Sequence, residues 1–212
     1  MNLDTSFPYQ LYLVISEQDC RGKNFLHVAE KAILGGVDVI QLREKNLTSD
    51  LYLAKAKQLK EITDKYTIPL IINDNLEVAQ ELNAAGIHVG NRDISPSNIR
   101  QVWNSPRPLV GYSIENLEQL KNPQIPLSDY LGISPVFNTE TKKDTITEWG
   151  LKGIVEIRQR TDKPLVAIGN IHIQNARRVI QAGADCLAVV SAICGSEDPE
   201  KAAYELKNEI LK

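Results

Sequence analysis

The chain has 212 residues, and its 24 Lys and Arg against 27 Asp and Glu leave a formal charge of −3. That length suits one domain, and without a basic block it lacks the footprint of a nucleic-acid binder, so the expected partners are small phosphorylated molecules. Residues 1–10 are polar where a signal peptide would be apolar, and no apolar run approaches membrane-spanning length, so a cytoplasmic protein with no membrane partner is expected.

Eight apolar runs break off into polar residues: Leu11–Ser16, Val37–Arg43, Leu70–Asn73, Ile87–Val89, Leu109–Ser113, Tyr130–Ser134, Leu165–Gly169 and Cys186–Ser191. A helix-like stretch follows each. This rhythm predicts a single (β/α)8 TIM barrel over residues 1–212, with its chemistry at the C-terminal ends of the strands. Between the second and third runs, Thr48-Ser49-Asp50 caps a helix with Leu51, Ala54, Leu59 and Ile62 turned inward. Ser95-Pro96 is a cap followed by proline at the first helical position. The small-residue turns at Gly35-Gly36, Ala85-Gly86 and Ala182-Gly183 read as helix stops. One connection, Pro135 to Glu148, is too long for a tight turn, and its Thr139, Thr141, Lys142, Lys143 and Asp144 suggest a lid, with disorder as the plainer alternative. Cys20, Cys186 and Cys194 lack zinc spacing and read as reduced thiols. A homo-oligomer is compatible with the sequence.

Strand periodicity puts Val37, Val39, Gln41, Arg43 and Lys45 on one face of the second run, with Leu42 and Glu44 on the other. An arginine and a lysine leaving the barrel top with no carboxylate beside them suit a phosphate or diphosphate; a surface charge pair is the bland alternative. Asp74 and Asp93 follow the third and fourth runs, where adjacent strands would present two carboxylates to one Mg2+. Asp74 has a rival role as a helix N-cap, whereas Ser95 already fills that role near Asp93. Asn73 could face a heterocycle. Gly169-Asn170 and Val190-Ser191 end the last two runs, where barrels often hold phosphate on backbone N–H groups. Two anion sites, one beside a metal, imply two phosphorylated reactants or a phosphorylated substrate beside a diphosphate leaving group. His27, His88 and His172 support no nucleophile–base pair, and His88 reads as a hydrogen-bonded barrel histidine.

Gln41 to Lys45, Ile72 to Asp74, Gly86 to Gly90 with Asp93, and above all Asp129 to Asp144 with its Thr139-x-Thr141-Lys142 resemble the thiamine phosphate synthase family over nearly the whole chain. The resemblance implies Mg2+-dependent joining of a hydroxymethylpyrimidine diphosphate to a thiazole phosphate, releasing pyrophosphate. It places Gln41, Arg43, Lys45, Asn73, Ser113 and Lys142 on the pyrimidine diphosphate, with Arg43, Lys45 and Lys142 meeting the charge of the departing group. It places Thr139, Thr141, Asn170, Val190 and Ser191 on the thiazole phosphate, and Asp74 and Asp93 on the metal. Two positions depart from the family pattern. Asn170 stands where a second glycine is usual, and asparagine tolerates left-handed backbone. Glu115 stands where a histidine is usual; a sibling group with the same barrel is thought to use that histidine to isomerise the thiazole phosphate, so Glu115 favours the synthase over this tautomerase. A silent barrel that senses pathway phosphates is a third reading, against which the paired carboxylates argue.

Overall fold

The computed structural model of the chain describes residues 7–139 and 148–212. Eight parallel strands close on one another in sequence order: β1 (Leu11–Ile15), β2 (Val39–Leu42), β3 (Leu70–Asn73), β4 (Gly86–Val89), β5 (Leu109–Ile114), β6 (Tyr130–Ile133), β7 (Leu165–Ile168) and β8 (Cys186–Val189). The helices around them are α1 (Phe25–Leu34), α2 (Ser49–Lys65), α3 (Leu76–Glu81), α4 (Pro96–Val102), α5 (Gly150–Arg158), α6 (Ile173–Gln181), α7 (Ser191–Cys194) and α8 (Pro199–Leu211). This is the (β/α)8 barrel that the apolar rhythm predicts.

Alternation along the strands builds two cores. Leu11, Leu13 and Ile15 of β1, with Ile40, Leu42, Ile72, Ile87 and Leu131, face outward onto the helices. Tyr12, Val14, Val39, Ile71, Tyr130, Val166, Cys186 and Ala188 fill the barrel, and Phe7 packs against Tyr130 with ring centroids 4.5 Å apart. Each aliphatic side chain so buried contributes about 1.5–3 kcal/mol. The interior is therefore packed below and polar above.

Four expectations need correction. β2 begins at Val39, so Val37 joins the outer core instead of the inward face; its N–H is spent on Ala32, closing the preceding helix. Gly86 does not stop a helix. It lies in β4, where a Cβ would come within 2.2 Å of the Leu109 carbonyl, and the left-handed residue ending that helix is Asn83 at φ 51°. α2 buries Tyr52, Ala56, Leu59 and Thr63, while Leu51 and Ala54 are exposed and Ile62 is half-buried. Tyr52 wins the inward face because its hydroxyl finds the Leu42 carbonyl at 2.6 Å and the Asn73 N–H at 3.2 Å, rewards that hydrophobicity alone does not reveal. Between β5 and β6 stand only two short 3-10 turns, at Leu117–Lys121 and Ile125–Leu127, because Pro123 and Pro126 cannot continue an α-helix.

At the N-terminal end of the barrel three aspartates staple neighbouring strands. Asp38 accepts from the Gln10 and Leu11 N–H groups and pairs with Lys207. Asp129 accepts from the Val110 N–H and from Arg100 and Arg107 at 2.6 and 2.7 Å. Asp185 accepts from the Leu165 N–H and pairs with Arg158. Every one of these carboxylates has both a backbone donor and a cation. Such charge-assisted pairs hold the closure that sets the opposite end of the barrel.

Candidate active site

At the C-terminal ends of the strands a cavity opens. Every described residue of the expected site lines it: Gln41, Arg43, Lys45, Asn73, Asp74, Asp93, Ser113, Thr139, Asn170, Val190 and Ser191. Thr141 and Lys142 of the expected site, and the Lys143 and Asp144 of the expected lid, lie outside the described residues. Gln41 points in from β2, almost fully buried. Beyond it the alternation continues as expected, for Glu44 turns away to pair with Lys55 at 2.9 Å, and Arg43 and Lys45 hold no ion pair among the described residues. Their charge is available to a ligand. Tyr52 steadies this corner by bridging the ends of β2 and β3.

Asp74 follows directly. Its backbone is left-handed at φ 63°, and its N–H is spent on the His88 carbonyl at 2.9 Å. Asn75, not Asp74, caps α3, its side chain accepting from the Val78 N–H. The Asp74 carboxyl is thus released from the rival role and lies against Asp93. Burial above all, and then the hydrogen bond and negative charge of Asp93, push Asp74 up to about 6, with Lys45 opposing. Asp93 is held in turn by the Gly90 N–H at 2.7 Å. The half-buried Asp74 carboxyl and the exposed Asp93 carboxyl beside it form a hard, oxygen-only donor set. Such a pair suits a hard divalent cation, whose charge would relieve the crowding. No group of three or more metal-ligating His, Cys, Asp or Glu occurs among the described residues, so these two are the protein's acidic contribution.

Across the cavity, Gly169 and Asn170 are both left-handed, at φ 120° and 49°. A side chain on Gly169 would come within 2.6 Å of Pro135, so this position must be glycine. Asn170 adopts the conformation in which asparagine substitutes for glycine. The loop is clamped by one amide: Asn175 donates to the Asn170 carbonyl at 2.9 Å and accepts from the His172 N–H at 2.9 Å. Val190 and Ser191 open α7 beside it. The Glu115 side of β5 is turned to other work, its N–H donating to Gln119, and Glu115 does not line the cavity.

Among the lining residues to which sequence reasoning gave no site role are Tyr12, Tyr130 and His88. His88 is, as expected, hydrogen-bonded inside the barrel, to Tyr130 at 3.1 Å and Ser113 at 2.9 Å. The signal for the tyrosines was their alternation with outward aliphatics in the first and sixth runs.

A closed (β/α)8 barrel carrying a cationic strand exit, an acidic pair and two left-handed loop residues at the ends of its strands belongs to the barrel enzymes that work on phosphorylated small molecules. Comparison with known proteins narrows the class. The thiamine monophosphate synthase family profile matches residues 11–193. A thiamine-phosphate synthase of Albidiferax ferrireducens is 44% identical over 95% of this chain and 91% of its own, and one of Clostridium tetani is 39% identical over 97% and 95%. The solved thiamine phosphate pyrophosphorylase of Pyrococcus furiosus superposes with a TM-score of 0.85 at 31% identity, covering 96% of each chain. A 3-hexulose-6-phosphate synthase, at 17% identity and a TM-score of 0.68, shares the fold. The chain belongs to the thiamine monophosphate synthase family. No helix among its described residues is long and apolar enough to cross a membrane.

Proposed function

We propose that the protein condenses 4-amino-2-methyl-5-(diphosphooxymethyl)pyrimidine with 4-methyl-5-(2-phosphoethyl)thiazole, or its carboxylated form, to give thiamine monophosphate and pyrophosphate. The observation that carries this reading is the gathering of a cationic strand exit, an acidic pair and a left-handed loop around one cavity. Asp74 and Asp93 would hold Mg2+, which when bound supplies positive charge to the diphosphate oxygens. Arg43 and Lys45 grip the same diphosphate from β2, and Lys142 is assigned to it by family position. Gln41 and Asn73 face the aminopyrimidine, and Ser113 a diphosphate oxygen. Thr139, Thr141, the main chain at Asn170 and Val190, and the Ser191 hydroxyl and N–H take the thiazole phosphate.

The reaction this suits is dissociative. The carbon–oxygen bond to the diphosphate breaks, the leaving group keeps the electron pair, and the electron-rich ring stabilises the methylene cation. The thiazole nitrogen then donates its lone pair to form the carbon–nitrogen bond. No nucleophile or strong base is required of the protein. Its work is to neutralise charge growing on the leaving group, a contact worth about 3–4 kcal/mol where one donor is well placed, and to keep the two rings aligned. A cytosolic setting agrees with three buried, free thiols.

Incubation with both substrates and Mg2+ tests this reading, with thiamine monophosphate and pyrophosphate measured together. Release of pyrophosphate only when both substrates are present is expected. Isomerisation of the thiazole phosphate without the diphosphate substrate would overturn the reading in favour of the tautomerase, and binding without turnover in favour of a sensor.

A further inference from the structure

A line of hydrogen bonds crosses the barrel beneath the cavity and joins two residues assigned to the same substrate. Gln41 Nε2 donates to Tyr12 Oη at 2.8 Å, Tyr12 Oη meets Tyr130 Oη at 3.0 Å, Tyr130 Oη meets His88 Nδ1 at 3.1 Å, and His88 Nε2 meets Ser113 Oγ at 2.9 Å. The five residues come from β2, β1, β6, β4 and β5. The barrel makes room for the line. A Cβ on Gly111 would fall 2.2 Å from Tyr130 Cζ and 2.3 Å from His88 Nδ1, and one on Gly132 would fall 2.9 Å from His88 Cε1. Two glycines inside adjacent strands, otherwise unfavourable there, are thereby explained. The His88 and Tyr130 rings stack with centroids 5.5 Å apart, and Phe7 supports Tyr130 from below.

With His88 neutral, only one direction gives every buried proton of the line an acceptor. An amide nitrogen only donates, so the Tyr12 oxygen accepts from Gln41 and passes its single proton to Tyr130. Tyr130 then gives its own proton to His88 Nδ1. An imidazole accepting at Nδ1 carries its proton on Nε2 and donates it to Ser113. Ser113 is left with a hydroxyl proton free for the cavity, and Gln41 with its carbonyl oxygen. Diphosphate oxygens only accept, and an aromatic amine chiefly donates. The two ends of the line therefore present the two polarities that the pyrimidine diphosphate needs. Burial raises both tyrosines well above their ordinary range, so the line transmits hydrogen-bond order, not charge.

We propose that Tyr12, Tyr130 and His88 are positioning residues, a one-way hydrogen-bond chain that holds Gln41 as an acceptor for the pyrimidine amine and Ser113 as a donor to the diphosphate. The proposal rests on the assignment of Gln41 and Ser113 to that substrate.

Nitrogen-15 NMR of histidine-labelled enzyme reads the chain without turnover, with His88 assigned by comparison with His88→Gln. The bare nitrogen is expected at Nδ1 and the protonated one at Nε2. Gln41→Glu replaces the first donor by an acceptor, so every link should reverse and the proton should move to Nδ1. A wild-type proton on Nδ1, or a tautomer indifferent to Gln41→Glu, overturns the chain. In kinetics, Tyr130→Phe should raise the KM for the pyrimidine diphosphate about tenfold, the scale of one lost hydrogen bond, and leave that for the thiazole phosphate unchanged. Combined with Ser113→Ala it should cost nothing more than Ser113→Ala alone, because the hydroxyl acts through Ser113. Additive losses, or a loss shared by both substrates, would mark a structural role and overturn the proposal. Should Tyr130→Phe not fold, Tyr12→Phe interrupts the same line one link away. A Ser113→Ala variant with unchanged diphosphate kinetics would remove the site assignment itself. A sensitive Ser113 beside silent Tyr130→Phe and Tyr12→Phe would remove the chain alone.

Discussion

The two ends of the barrel use aspartate in opposite ways. At the N-terminal end Asp38, Asp129 and Asp185 each bind a strand N–H and one or more cations. At the C-terminal end Asp74 and Asp93 crowd each other, and burial and repulsion push Asp74 up to about 6. One end has matched its three aspartates within the chain, while the other leaves charge of both signs, with Arg43 and Lys45 nearby, for something that arrives from solution. The difference teaches that a carboxylate's role lies in its partners, and that unmatched charge, costly to folding, marks where ligands bind.

Removing a matched acid should harm the fold most. Asp129→Ala leaves Arg100 without its buried partner, and a loss of about 3–5 kcal/mol is expected in denaturant unfolding, with turnover per folded molecule kept. A change in KM with unchanged stability would break the contrast between the ends. Removing an unmatched acid should do the reverse. Asp74→Asn and Asp93→Asn are each expected to lower turnover by at least about a hundredfold, read as pyrophosphate release.

The contrast extends to pH. Asp74 titrates at about 6 in the folded chain against an ordinary 3.8, so between these values the folded state holds the extra proton and stability falls as pH rises. In metal-free protein near neutral pH, Asp74→Asn should therefore raise the unfolding temperature, and below about pH 4, where both states are protonated, the gain should vanish. A destabilised Asp74→Asn at neutral pH would mean that Asp74 is matched after all.

Smaller effects belong to the anion loops. Ser191→Ala is expected to raise the KM for the thiazole phosphate about tenfold and spare that for the diphosphate, as one charge-assisted hydrogen bond is lost. An effect confined to the diphosphate would reverse the assignment of the two anion sites. At position 170, held at φ 49°, Asn170→Val should be harmful and Asn170→Gly nearly silent, since valine resists left-handed backbone and glycine does not. A large loss in Asn170→Gly would show that the amide side chain itself reads the substrate.

How legible all this was in the sequence depended on how local each signal is. The alternation that separates Gln41, Arg43 and Lys45 from Glu44 runs along one strand, and so does the placement of Asn73 and Asp74 at a strand end. The left-handed backbone at Asn170 was legible from the family's usual glycine there, because the chemistry of left-handed backbone belongs to single residues. The line from Gln41 to Ser113 was invisible for the opposite reason. Its members lie up to 118 residues apart, and only closure of the barrel brings Tyr12 to Tyr130. Tyr52 was missed because its inward turn is decided by two backbone partners on other strands. Gly86 was misread because its neighbour across β5, not its own turn, demands glycine. The three basal aspartates each stand directly before a strand, at Asp38-Val39, Asp129-Tyr130 and Asp185-Cys186. That repeat could have been noticed, but their cations come from distant helices and loops.

The central claim is that the acidic pair at the C-terminal end exists to hold a divalent cation against a departing diphosphate. It is tested most directly by pyrophosphate release from chelator-treated enzyme supplied with both substrates, measured as Mg2+ is added back. The account predicts negligible release without the ion and recovery on addition in the wild type, with neither recovery nor basal release in Asp93→Asn. Full turnover in the presence of chelator would contradict it.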